Sequence, residues 1–239
     1  MAYVFAHGTG TEADPYLVET AADLNGVRDY LSAHFKQTAD IDLSGYENWV
    51  PIGNPYQELY FSGEYDGNNH EITNLTVTGD SYYTGLFSVL ESATVKNIKL
   101  LNANILSLHY AGGLVGLSMG LSSITNCHVT GTISTKSSGQ IPQAIIGGLV
   151  GMGASAIITD CYSECNISCE VQAVVYAGGL IGLSLESTIL TNSYSLGVVS
   201  VSATNCCIAG GLIGNSYTCE ILDCFSRCDV SGQVLGQFD

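Results

Sequence analysis

The chain has 239 residues, enough for one large all-β domain or two small ones, and its 46% hydrophobic and 12% charged content excludes ordinary disorder. Six Lys plus Arg against 22 Asp plus Glu give a formal net charge of −16, a field that repels nucleic acid and anionic membrane and argues against both as partners. Residues 1–91 hold 14 acids and two bases, whereas residues 92–239 hold eight and four, so most of the charge sits in the amino-terminal part.

Residues 1–10 lack the basic start and apolar stretch of a signal peptide, and no apolar run reaches the roughly 18 residues that span a bilayer. Neither secretion by that route nor membrane insertion is expected. Thr20-Ala21-Ala22-Asp23 resembles a capping box, and Leu24, Val27, Tyr30 and Leu31 follow at helical spacing, which predicts one helix over residues 20–33. Residues 1–36 are expected to cap the domain formed by residues 37–239, because a solenoid must cover its apolar end. Trp49, Tyr56, Tyr60, Phe61, Tyr65, Tyr82 and Tyr83 then cluster in the acidic stretch. Of these, Trp49, Tyr56, Tyr60, Tyr82 and Tyr83 are the candidate binding residues, since exposed rings stack on sugars or anchor a protein partner. The plainer alternative is that the rings cover the first coils beneath the cap.

From residue 85 the chain repeats. Gly-Gly-Leu-Val/Ile-Gly occurs at 112–116, 147–151, 178–182 and 210–214, with a weaker copy at Gly85-Leu86-Phe87. Each full block precedes a phrase with Asn or Asp between two inward-type residues: Ile124-Thr125-Asn126-Cys127, Ile158-Thr159-Asp160-Cys161, Leu190-Thr191-Asn192-Ser193 and Ile221-Leu222-Asp223-Cys224. The phrase also occurs around Asn97 and Asn74, and Asp40 is a candidate seventh copy. Inward residues spaced by three, within strands that alternate by two, mark a corner where Asn or Asp takes left-handed backbone.

These periods predict an all-β, right-handed parallel β-helix of about six to seven coils. Asp40, Asn74, Asn97, Asn126, Asp160, Asn192 and Asp223 should stack into one ladder, with amides bonding along it and the separated aspartates accepting from them. Gly113, Gly148, Gly179 and Gly211 should serve tight corners and close strand approach. No helix pattern follows the glycines, so a phosphate-cradling loop is not expected. Val230 to Asp239 is a candidate cover for the far end.

The four glycine blocks, their Asn/Asp-Cys partners and the leader from Phe61 to Ile72 resemble bacterial and bacteriophage β-helix proteins that carry the GLUG motif, over residues 8–232. That resemblance implies a pectate-lyase-like β-helix in surface adhesins, in non-catalytic regions of secreted peptidases, or in virion proteins. None of the matched residues is catalytic in that family. Expected partners are other virion or surface proteins, a second copy, or a host glycan or protein. The location is a virion or a cell surface.

The enzymatic alternative is a polysaccharide lyase or glycosidase of the same fold. A lyase needs a cationic base near acidic ligands, and Arg28, Lys96, Lys99, Lys136 and Arg227 are dispersed. A glycosidase needs a carboxylate pair; Asp160 with Asp223, and the group Glu58, Glu64, Asp66 and Glu71, are candidates with structural explanations. No catalytic residue is assigned. The nine cysteines lack paired spacing, and Cys127, Cys161 and Cys224 fall at inward positions where thiols pack as small hydrophobes, so neither a metal nor a cofactor is expected.

Overall fold

Each copy of the glycine phrase closes one turn of a parallel β-solenoid. The computed structural model describes residues 1–78, 81–135 and 143–235, and shows about six turns with a single short helix near the amino terminus. One turn illustrates the path: Ile157–Thr159, a corner at Asp160, then Tyr162–Val171, Val174–Gly178 and Ile181–Leu185. Equivalent strands stack into four sheets, two of eight strands and two of five, all paired in parallel. The strands of three or four residues form a short-strand sheet, and those of up to ten form a long-strand sheet. The two five-stranded sheets flank the glycine pair, one before it and one after.

The corner residues Asn97, Asn126, Asp160, Asn192 and Asp223 all have φ between 49° and 57°, the left-handed region that Asn and Asp tolerate best. They stack through the backbone: Asn97 N–H donates to Thr125 O (3.0 Å), Asn126 to Thr159 (3.0 Å), Asp160 to Thr191 (3.2 Å) and Asn192 to Leu222 (3.0 Å). Side chains reinforce only the first steps, where Asn126 Nδ2 donates to Asn97 Oδ1 and Asn97 Nδ2 to Asp66 Oδ1, both at 2.8 Å. Among the described residues, no side-chain hydrogen bond joins Asp160 or Asp223 to a neighbouring asparagine, so the expected carboxylate relay is not formed.

Asn74 and Asp40 stand outside this column. Thr73 pairs with Leu101, which puts Asn74 beneath Asn102, and the residue that meets Asn97 is in the turn Asp66-Gly67-Asn68-Asn69. A second column results, with Asn102 Nδ2 donating to Asn74 Oδ1 (2.7 Å) and Asn74 Nδ2 to Asp42 Oδ1 (2.8 Å). Asp40 instead accepts from Glu71 N–H (2.9 Å) on the long-strand side. The early corners are longer than the later ones, so matching phrases by their inward residues shifts the alignment by one strand.

Gly113, Gly148, Gly179 and Gly211 do not have left-handed backbone, so conformational freedom does not explain them. Close approach does: a Cβ on Gly113 would lie 2.7 Å from Gly148 O, and one on Gly148 would collide with Gly179 O. Leu114, Leu149 and Leu180, which follow the pairs, are fully buried. Each contributes on the order of 1.5–3 kcal/mol of apolar burial.

The predicted helix is shorter than its pattern. It runs Ala21–Gly26 and tightens to a 3₁₀ turn over Val27–Asp29, with the capping box formed as Asp23 N to Thr20 Oγ1 (3.1 Å) and Thr20 N to Asp23 Oδ2 (2.9 Å). Leu24 and Val27 are buried as expected. Helix cannot reach residue 33 because His34–Gln37 must extend to pair with Glu64–Asp66, placing Phe35 inside. Tyr16–Val18 and His34–Gln37 add two strands to the short-strand sheet, so the amino-terminal segment shares the solenoid's sheet and core.

The interior changes along its length. Phe5, Tyr16, Tyr30, Phe35, Phe61, Tyr65 and Phe87 form a chain of ring contacts at 4.5–6.4 Å in the first turns. Later turns fill the space with Leu, Ile, Val and thiols. Cys127 and Cys161 stack, with Cys127 N–H donating to Cys161 Sγ (3.4 Å), and burial pushes Cys165 up to about 12 and Cys169 to about 11, which keeps them as thiols. Val230 and Val234 lie in the exposed strand Phe225–Val234, continuing the sheet rather than folding over its end, while residues 236–239 of the expected cover lie outside the described residues.

Candidate binding surface

The candidate rings divide between core and surface. Trp49 is a core residue at 1% exposure: its Nε1 donates to Leu86 O (3.3 Å), Tyr46 packs edge-on at 5.2 Å, and the Arg28 guanidinium lies 5.4 Å from its ring. It is therefore no ligand platform. Phe61 and Tyr65 are likewise buried.

Tyr56, Tyr60, Tyr82 and Tyr83 do come together outside. Ile52 and Phe61 bridge to Phe87 and Leu90, so residues 53–60 must leave the sheet as a loop. That loop closes on itself through Asn54 N to Leu59 O (2.7 Å) and Leu59 N to Asn54 O (3.0 Å), with the Asn54 side chain accepting from Tyr56 N (3.1 Å). Its tip is thereby fixed. Tyr56 is 71% exposed, and its Oη accepts from Tyr82 N–H at 3.2 Å, which holds the ring while leaving its surface open. Mutual burial raises the pKa of Tyr82 and Tyr83 above the ordinary tyrosine value, with the neighbouring tyrosines adding to it.

The cluster extends past the residues expected from sequence. Tyr82 and Tyr83 lie 5.1 Å apart, Tyr83 and Tyr110 4.9 Å, and the His109 ring stacks on Tyr82 at 4.1 Å. Register continues the row as Tyr83, Tyr110, Ile145, Tyr176 and Ile208, one per turn, and Tyr110, Ile145 and Tyr176 pack with Met152 and Leu183 of the adjoining sheet. The signal was present: each row residue stands two before the first glycine of its block, or before Gly85 in the weak copy.

A cleft of about 360 Å³ opens between this loop and the amino-terminal segment, lined by Arg28, Asp29, Asn54, Pro55, Tyr56 and Gln57 among others. It adjoins a shallower one reaching Tyr60, Glu58 and Glu91. Arg28 is oriented by Nε to Asn25 O and Nη2 to Val50 O, both 2.9 Å. Burial lowers its pKa and Asp29 opposes that; an arginine so placed stays charged at neutral pH. An exposed ring beside planar amide, carboxylate and guanidinium groups can hold a polyhydroxylated ligand by stacking and hydrogen bonding.

A second aromatic row lies on the long-strand sheet. His128, Tyr162, Tyr194 and Phe225 stack at 3.8, 4.7 and 5.0 Å with nearly parallel planes, so each ring covers its neighbour's face. Burial, with Lys99 nearby, pushes the His128 pKa down to about 4. Of the acidic group Glu58, Glu64, Asp66 and Glu71, Glu64 and Asp66 are engaged by Lys96 Nζ at 2.6 and 3.9 Å.

This architecture defines a parallel β-solenoid built on glycine-leucine repeats, and the GLUG motif matches residues 107–134, one full turn with its glycine block and Asn126 corner. Over 126 residues, 49% of this chain, the sequence is 40% identical to a candidate Gly-rich membrane protein of Evansella cellulosilytica, covering 14% of that protein. Over 157 residues, 60% of the chain, it is 34% identical to Halomucin of Haloquadratum walsbyi, covering 2% of it. The chain thus spans a small part of these relatives. A crystal structure of a candidate immunoglobulin A1 protease from Bacteroides ovatus superimposes with a TM-score of 0.76 at 26% identity, over 95% of this chain and 70% of that one. An IgA1 protease structure matches in fold at a TM-score of 0.59 and 18% identity, over 92% of this chain and 20% of that one.

Proposed function

We propose that the chain is a non-catalytic β-helix module of a cell surface, which attaches to glycans through the cleft at Tyr56. The observation that carries this is the anchored, open Tyr56 ring beside Arg28, Asp29, Asn54 and Gln57. Likeness to a membrane protein and to Halomucin supports a cell-surface setting over a virion. The rigid repeat supplies the stand, and the loops of the first turns supply the contact.

Glycan-array binding of the full chain, with a reducing-sugar release assay on every glycan bound, tests this. Binding without release is expected, and Tyr56→Ala should weaken it by about tenfold, the effect of losing one stacking ring. Release of reducing ends, absence of any bound glycan, or unchanged binding by the variant would overturn the proposal.

A further inference from the structure

The later turns pass from corner to long strand without interruption, whereas the turn at Lys99–Ser107 does not. Its register against His128–Thr135 shifts between Leu100 and Ala103, and Asn102 takes φ of 57° at the shift. Bulges of this kind re-aim side chains and concentrate near functional sites. Here the shift leaves Asn102 and Asn104 both exposed, with Ala103 buried between them.

The stacking then multiplies these groups. Asn102 lies over Asn74 and bonds to it, and Asn104 pairs in register with Thr76 below and Thr132 above. The result is two adjacent columns of amides and hydroxyls at the interstrand step of about 4.8 Å. Beside them, residues 43–49 form a wall with Tyr46 and Glu47, enclosing an open cleft of about 530 Å³. Trp49 N–H to Thr76 O (2.7 Å) and Thr78 N–H to Asn48 Oδ1 (2.8 Å) hold that wall in place.

The hydrogen-bonding inventory of the cleft is incomplete. Asn74 is engaged on both sides, but the Asn104 amide and the Thr76 and Thr132 hydroxyls make no hydrogen bond to any described residue, and Asn102 Oδ1 accepts none. Donors and acceptors therefore alternate on a fixed grid, beside an aromatic edge and one carboxylate. Among the described residues no cation lines the cleft, and an anionic ligand would meet Glu47 and the protein's acidity.

We infer that the cleft between the Leu43–Trp49 wall and the Asn102 bulge is a second ligand site, which takes an uncharged sugar unit through its vicinal hydroxyls. It extends the attachment reading to a position that shares no lining residue with the Tyr56 cleft. Either site therefore stands or falls without the other.

Saturation-transfer NMR of the full chain with neutral oligosaccharides of glucose, galactose and mannose tests it. At least one series should bind the chain carrying Tyr56→Ala, which silences the first cleft, and adding Asn104→Ala with Thr132→Val should weaken that remaining binding about tenfold. Both substituted residues are exposed and free of structural bonds; Asn102→Gly gives an independent variant that keeps the left-handed backbone while deleting the amide. Absence of binding to all three series, or binding that Asn104→Ala with Thr132→Val leaves intact, overturns the inference. So does occupation by calcium, if calcium chloride displaces the sugar from wild-type protein and binds with dependence on Asn104.

Discussion

The first turns and the later turns solve the same packing problem with different materials. Up to about residue 106, long corners, extruded loops and large rings surround an irregular path; beyond it, three glycines and a leucine recur in register, and among the described residues almost nothing leaves the sheets. In the repeat region a carbonyl of the next turn lies against Gly113, Gly148 and Gly179, which leaves no room for a side chain there. The irregular region has room, and both clefts open on it, the second also reaching Thr132 of the next turn. Rigidity and recognition are thus separated along one axis, as expected where loops on a stiff scaffold carry binding.

The largest expected effect breaks the repeat. Gly148→Val should destabilise by about 3 kcal/mol or more, because its side chain must displace Gly179 O and the Ser163 hydroxyl. Chemical denaturation gives the value. Trp49→Ala should cost a similar 3–5 kcal/mol by leaving a cavity under Arg28, whereas Tyr56→Ala should stay within about 0.5 kcal/mol. Equal losses for these two would erase the distinction between core and surface rings.

One pH effect should come from the long-strand sheet. His128 is neutral when folded, and its pKa falls from an ordinary value near 6.5 to about 4. The unfolded chain therefore binds a proton first, so stability is lost as pH drops from about 6.5 to 4, then levels below that. Partial solvent exposure limits the loss to on the order of 1–2 kcal/mol. His128→Phe should remove that component of the pH–stability curve and no other. The smallest effect is a gain: Gly153 has no left-handed backbone, and its nearest would-be contacts are 3.5–3.6 Å away. Gly153→Ala should therefore stabilise by about 0.4–1 kcal/mol. A loss there would mean that the glycines of this region are not distinguished by close approach.

The repeat was legible because each turn restates one phrase: Asn126, Asp160, Asn192 and Asp223 sit 12 or 13 residues after the second glycine of their blocks, and backbone geometry at the corner admits few other residues. Asn74 and Asp40 misled because the earlier corners contain extra residues, and register there is set by pairing partners that sequence spacing does not reveal. The capping box at Thr20 was readable, but the helix end was not, since it is fixed by the strand starting at His34. Composition marked the tyrosines as a group without separating Trp49, whose ring fills the core, from Tyr56, which a loop bridge turns outward. Tyr110 and Tyr176 were encoded just ahead of their glycines. The Asn102 bulge left no sequence signal, since it arises from a register shift between two strands.

Hydrogen–deuterium exchange, read with and without a bound oligosaccharide, tests the division of labour most directly. The free chain should protect the amides of Asn97, Asn126, Asp160 and Asn192 to a similar high degree, and the ligand should add protection within residues 28–60 and 74–110. Unequal, weak protection at those corners, or ligand-dependent protection confined to residues 157–234, would contradict it.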